Sequence, residues 1–92
     1  MIKEKVKVRQ MQSDKGNYIA NQFELYTKKG VYFQSYNSII AFKSQNGNTF
    51  LDEYYWDYSR TTGKYRNNFL GEHIAETRKK IKSGEYKLTN LN

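Results

Sequence analysis

Residues 49–71 read TFLDEYYWDYSRTTGKYRNNFLG, and this stretch decides the fold. Its first residues keep the alternation of a strand, and from Ser59 the spacing becomes helical. The Ser59 hydroxyl suits a helix N-cap, and Asp57 adds negative charge near that end. Tyr58, Thr62, Tyr65 and Phe69 then fall at i, i+4, i+7 and i+11, on one face. Gly71 is a natural stop. Gly63 costs about 1 kcal/mol against alanine inside a helix, and its presence is expected to serve close packing on a sheet. Trp56, the only tryptophan, and its tyrosine neighbours are expected at the sheet–helix junction.

The chain before this stretch reads as a sheet. Residues 2–12 alternate, with Lys3, Lys5, Lys7 and Arg9 on one side and Ile2, Val6 and Val8 on the other. A turn at Ser13-Asp14-Lys15-Gly16-Asn17 follows. Residues 18–27 alternate again, with Ile19, Phe23 and Leu25 together, and Lys28-Lys29-Gly30 signals a hairpin. Residues 31–36 form a third strand rich in aromatic and β-branched side chains. Residues 39–44 form a fourth, whose IIAF run suits burial on both faces, and Asn46-Gly47 signals a tight hairpin into the fifth.

After Gly71, a second helix is expected over residues 72–83. Glu72 and Glu76 come early and Arg78, Lys79, Lys80 and Lys82 late, the order the helix dipole favours. Gly84 ends it, and residues 86–91 can add a short edge strand. The expected architecture is one α+β domain spanning residues 1–92. An antiparallel sheet of about five strands is followed by two helices packed on one face. The expected core is Tyr65, Phe69, Ile19, Phe23, Leu25, Ile39, Ile74 and Ile81.

Composition narrows the function. With no cysteine, disulfides, thiolate metal sites and cysteine nucleophiles are excluded. Residues 1–12 lack the apolar core of a secretory signal, and no run is long and apolar enough for a transmembrane helix, so a cytoplasmic, membrane-free protein is expected. The net charge of +7 favours nucleic acid or another acidic partner. A thin core with many aromatics is also compatible with a homodimer.

The runs VYFQSYNSIIAF (residues 31–42), LDEYYWDYSRTTGKYRNNFLGE (51–72) and SGEYKLTNLN (83–92) resemble short proteins of phages, prophages and plasmids of low-GC Gram-positive bacteria. The resemblance covers residues 31–92 and carries no catalytic or binding residues. It implies a mobile-element accessory protein, a class that binds nucleic acid or binds and blocks a host defence protein.

Candidate sites follow from residue type and spacing. Arg60, Lys64 and Asn67 form a polar stripe on the first helix, flanked by Arg66 and Asn68, and can reach phosphates and base edges. The strand face Lys3, Lys5, Lys7 and Arg9 can track a nucleic-acid backbone; such charge also blunts a sheet edge against aggregation. Tyr32, Gln34 and Tyr36 share a face near Lys28 and Lys29. That face is either a platform for stacking single-stranded bases or the face covered by the helices. Asp52, Glu53 and Asp57 have the chemistry of a divalent-metal site, but their ordinary roles are support of the helix start and pairing with Lys or Arg. Tyr65 between Lys64 and Arg66 is a weak match to a tyrosine nucleophile, and no hydrolase or nucleotide-binding motif occurs. The expected protein is a non-enzymatic, cofactor-free binding module for nucleic acid. The alternative is an anti-defence inhibitor, for example anti-CRISPR-like, that binds a host protein.

Overall fold

The computed structural model describes residues 6–92. Five strands come first: β1 (Lys7–Gln12), β2 (Tyr18–Thr27), β3 (Gly30–Ser35), β4 (Ser38–Ser44) and β5 (Thr49–Asp52). Two helices follow, α1 (Arg60–Leu70) and α2 (Ile74–Ser83), and then β6 (Tyr86–Thr89). The sheet order is β1-β2-β3-β4-β5-β6. The first five strands pair antiparallel in chain order, as short hairpin connections require. The edge strand β6 joins β5 in parallel, because the helix pair carries the chain back across the sheet before it pairs. The architecture is thus the expected α+β sheet-and-two-helices, with one more strand.

Three helix ends form where the sequence places them; α2 begins at Ile74 behind His73, so Glu72 precedes the helix instead of lying in its first turn. The Ser59 hydroxyl accepts from the Thr62 N–H at 3.1 Å, and Gly71 stops α1 in the left-handed region. Gly84 stops α2 in the same way. Between β2 and β3, a Cβ on Gly30 would stand 2.1 Å from the Lys43 carbonyl oxygen, so the hairpin requires glycine there.

Both helices lie on the same side of the sheet. The Phe69 ring of α1 stacks on Phe33 of β3, with centroids 5.6 Å apart, and the Tyr86 hydroxyl of β6 donates to Glu72 at the turn before α2. Strand register then assigns every paired residue to a face. The helix side carries two rows across the sheet: Lys7, Tyr26, Val31, Lys43, Thr49, Tyr86, and Arg9, Glu24, Phe33, Ala41, Leu51, Leu88. The core lies here: Phe33, Ile40, Ala41, Leu51, Phe69 and Tyr86. An irregularity in β4 places Ile40 beside Ala41 in this one core, rather than on opposite faces.

The expected core is therefore only partly the observed one. Phe69 is buried, and Tyr65 and Ile81 pack against the core. Phe23, Leu25 and Ile39 lie on the other face of the sheet, half-buried with no helix over them. The sheet is apolar on both faces, and the helices took the Phe33 face. Trp56 is half-buried at the sheet–helix junction, where it packs against the core.

The turn from β5 into α1 is built on Asp52, which is 2% exposed. One carboxylate oxygen accepts from the Tyr54 and Tyr55 N–H groups at 3.1 and 2.8 Å. The other accepts from the Leu91 N–H at 2.8 Å and the Asn92 side chain at 3.0 Å. Asn92 in turn bonds both backbone groups of Ile39. One buried carboxylate thus ties the turn to the C-terminal segment. Burial pushes the Asp52 carboxyl up, but these donors outweigh it and hold its pKa below the usual carboxylate range. Burial likewise pushes Glu72 up, and Lys80, Thr77 and Tyr86 together pull it below its ordinary value.

Depressed folded-state values stabilise the fold above the unfolded carboxylate pKa, about 4, and that contribution is lost as pH falls through the folded values. Thermal melts should therefore show constant stability from neutral pH to about 5 and a falling midpoint below about 4. An unchanged midpoint at about pH 3 would contradict this reading of Asp52 and Glu72.

Candidate nucleic-acid interface

Lys7 and Arg9 of the strand stripe and Arg60 and Lys64 of the helix stripe end up on one side of the molecule. Lys7 and Arg9 project from β1 on the helix side of the sheet, and both are exposed. Arg60 and Lys64 are exposed on α1, and Lys64 reaches over the Tyr65 ring at 5.3 Å. On α2, Arg78, Lys79 and Lys82 are exposed. Lys3 and Lys5 lie outside the described residues. Arg9, Lys64 and Asn67 line a single groove of about 770 Å³ between the β1–β2 hairpin and the end of α1.

The groove is mixed in charge. Asp14, Glu24, Glu72 and Glu76 also line it. Three hydrogen bonds hold Glu72, from Lys80, Thr77 and Tyr86, at 2.8, 2.6 and 2.7 Å. Glu24 faces Arg9 across the strand pair and accepts from Tyr26 at 3.1 Å. Burial, then Glu24, raise the Tyr26 hydroxyl. Four carboxylates against Arg9 and Lys64 make the lining of the groove itself unfavourable for phosphate.

Arg66 is not a surface residue. It is 1% exposed and lies beneath α1. Its guanidinium donates to the Trp56 carbonyl at 2.8 Å, to Asp57 at 3.0 Å and to the Asn67 side-chain oxygen at 3.0 Å. It stands 5.3 Å from the Trp56 ring. Gly63 lies against this group: a Cβ there would stand 3.5 Å from the guanidinium, an ordinary van der Waals contact, so the space does not itself require glycine. The expected contact of Gly63 with the sheet is thus a contact with Arg66. The arginine anchors α1 to the tryptophan turn, and it is removed from the candidate interface. Asn67 remains in the groove, half-buried, with its oxygen committed to Arg66.

The acidic residues do not converge. Asp52 is spent on backbone N–H groups, not on Lys or Arg as expected, and Glu53 is exposed. Asp57 pairs with Arg66 at 3.0 Å and with Arg78 at 3.7 Å. Among the described residues, no group of His, Cys, Asp and Glu is placed to hold a metal ion.

The Tyr32 face is open, which corrects the reading that places the helices over it. Its central row runs Val8, Leu25, Tyr32, Phe42, Phe50, Lys87 across all six strands. Tyr32 and Phe42 stack with centroids 4.2 Å apart and planes 21° apart, and Phe42 and Phe50 lie 6.2 Å and 22° apart. These rings come from neighbouring strands and turn their faces toward one another, along the sheet. What they present outward is their edges. A base-stacking platform needs ring faces directed at the ligand, so the single-strand platform is not what this row forms.

Residues 6–85 match the model of a family of unknown function, DUF8033. The chain belongs to this family. Membership covers β1 through α2 and so includes the groove, the Arg66 anchor and the open sheet face. No curated protein matches the chain, and no solved structure matches it. Among the described residues, no helix is long and apolar enough to cross a membrane.

Proposed function

We propose that this DUF8033 chain is a non-enzymatic, basic nucleic-acid-binding protein that lays its helical side along a phosphate backbone. The observation that carries the reading is the segregation of charge. Lys7, Arg9, Arg60, Lys64, Arg78, Lys79 and Lys82 are all exposed on the helical side. On the opposite face, Lys87 is the one exposed charged residue at a paired position among the described residues. A one-sided positive field steers a polyanion to one surface. Arg60 and Lys64, with Lys7 and Arg9, supply point contacts to phosphate, and Asn67 adds a hydrogen-bonding group at the groove. On this proposal, which the resemblance to phage and plasmid proteins supports, the protein acts for a mobile element in the cytoplasm of a bacterial host.

Fluorescence anisotropy with labelled single- and double-stranded DNA and RNA at several salt concentrations tests this. Four neutralised phosphates on duplex DNA give a log–log salt slope near roughly −3.6. The Arg60→Ala/Lys64→Ala double variant should flatten that slope by about 2 while melting like wild type. Absence of binding to every probe at low salt would refute the proposal.

A second reading is an anti-defence inhibitor that binds a host protein. The aromatic sheet face, on which Lys87 is the one exposed charge at a paired position among the described residues, favours it, since aromatics and depletion of charge mark the centres of protein interfaces. Pull-down from the bacterial host with wild type and with Phe42→Lys distinguishes it: a host protein lost in the variant supports it, and one retained by both contradicts use of this face.

A further inference from the structure

The sheet presents water with the wrong face. In a two-layer α+β domain, the side away from the helices is ordinarily polar. Here four strand charges, Lys7, Arg9, Glu24 and Lys43, sit on the helix side, and the open side has the exposed Lys87 and the buried Asp52. The uncovered side carries Val8, Phe23, Leu25, Tyr32, Ile39, Phe42 and Phe50. Val8 is 59% exposed on an edge strand, and Tyr32, Phe42 and Phe50 are only half-buried by one another.

We propose that two copies of this chain pack face to face through the open side of the sheet, with the Tyr32–Phe42–Phe50 row at the centre. Three observations select a second copy as the occupant. First, the aromatic row stands edge-outward as a ridge, the shape that interdigitates with a like ridge about 10 Å away in a sheet sandwich. Second, the charge pattern permits self-association of a chain of net charge +7, because both copies turn their basic helical sides away from the contact. A two-fold axis running along the strands at the middle of the sheet also sends the two Lys87 ammonium groups to opposite ends of the interface. Third, the area suffices. The molecule measures 33 × 31 × 21 Å, and the short dimension is that of a sheet plus a helix layer. A face of 33 × 31 Å can supply the roughly 800 Å² per partner of a standard stable interface. The assembly is isologous and closed, and it displays two basic helical surfaces on its outer sides. The inference stands independently of what those surfaces bind.

Sedimentation equilibrium of the full chain, across micromolar concentrations and without nucleic acid, tests it. The expected mass is twice the 11.0 kDa protomer. Phe42→Lys should return the mass to that of the protomer with its circular dichroism spectrum unchanged. Should Phe42→Lys fail to fold, Val8→Lys is the second test, because Val8 is largely exposed and packs on little. It should raise the dimer dissociation constant about tenfold or more by placing charge in an apolar interface. A wild-type protomer mass at the highest concentration would overturn the proposal, whichever other protein then occupies the face. A dimer indifferent to both substitutions would overturn it too.

Discussion

Arg66→Ala should unfold the protein far more readily than any other substitution on the polar side of α1, with a loss of about 3 kcal/mol. The side chain is buried beneath the helix and fills the space between Gly63 and the Trp56 ring. Its removal leaves the Trp56 carbonyl without its donor and α1 without its anchor. The loss falls at the lower end of the 3–5 kcal/mol range for breaking a buried ion pair, because Asp57 is 35% exposed and regains water. For a domain of this length, whose total stability is roughly 5–14 kcal/mol, that is a large share. It lowers the melting midpoint by about 15 °C, whereas Arg60→Ala and Lys64→Ala stay within a few degrees. Arg66→Lys should not rescue, since an ammonium cannot reproduce the planar fork. A wild-type midpoint in Arg66→Ala would contradict the anchoring role.

Asp52→Ala should be at least as costly, at about 4 kcal/mol. The substitution strips three backbone N–H groups of their acceptor, at about 1–3 kcal/mol for each one left buried. It also releases the Asn92 side chain, which pairs with the backbone of β4. The effect is expected at both ends of the tie. Amide exchange should accelerate in the turn before α1 and at Leu91 together, since one carboxylate holds them both. Asp52→Asn, which keeps an acceptor oxygen but not the charge, should fall between wild type and alanine. Fast exchange confined to only one of the two segments would argue against a shared anchor.

Much of this architecture was legible in the sequence, because local chemistry decided it. The alternation of residues 18–44 and the Asn46-Gly47 turn mark the strands, and Ser59, Gly71 and Gly84 mark helix ends. The face of the sheet that the helices cover was not legible. In β3, Val31 and Phe33 on one side are matched by Tyr32 on the other, and apolar content alone does not choose between them. Long-range packing made the choice: Phe69 stacks on Phe33, and the Thr62 and Ser35 hydroxyls meet at 3.0 Å. Phe23, Leu25 and Ile39 have the spacing of a core face, but the core forms on the opposite face.

Arg66 departs from its expected place for a different reason. Its charge assigned it to the solvent, although Thr62, Arg66 and Phe69 follow the i, i+4, i+7 spacing of a buried stripe. Spacing was the better guide than residue type. An aromatic turn with Asp57 nearby supplied what a buried guanidinium needs. Asp52 offered no comparable signal, since its partners at residues 91 and 92 are distant in the chain and reach it only once β6 pairs with β5. The meeting of Arg9 with Lys64 in one groove depended likewise on tertiary structure.

On the proposed function, nucleic acid meets the helical side and not the sheet face. An amide chemical-shift titration of the full chain with a short duplex oligonucleotide at low salt tests it most directly. The largest shifts are expected at Lys7, Arg9, Arg60, Lys64 and Asn67, with Leu25, Tyr32, Phe42 and Phe50 unmoved. Shifts concentrated at the sheet-face residues, with the helical side silent, would contradict it.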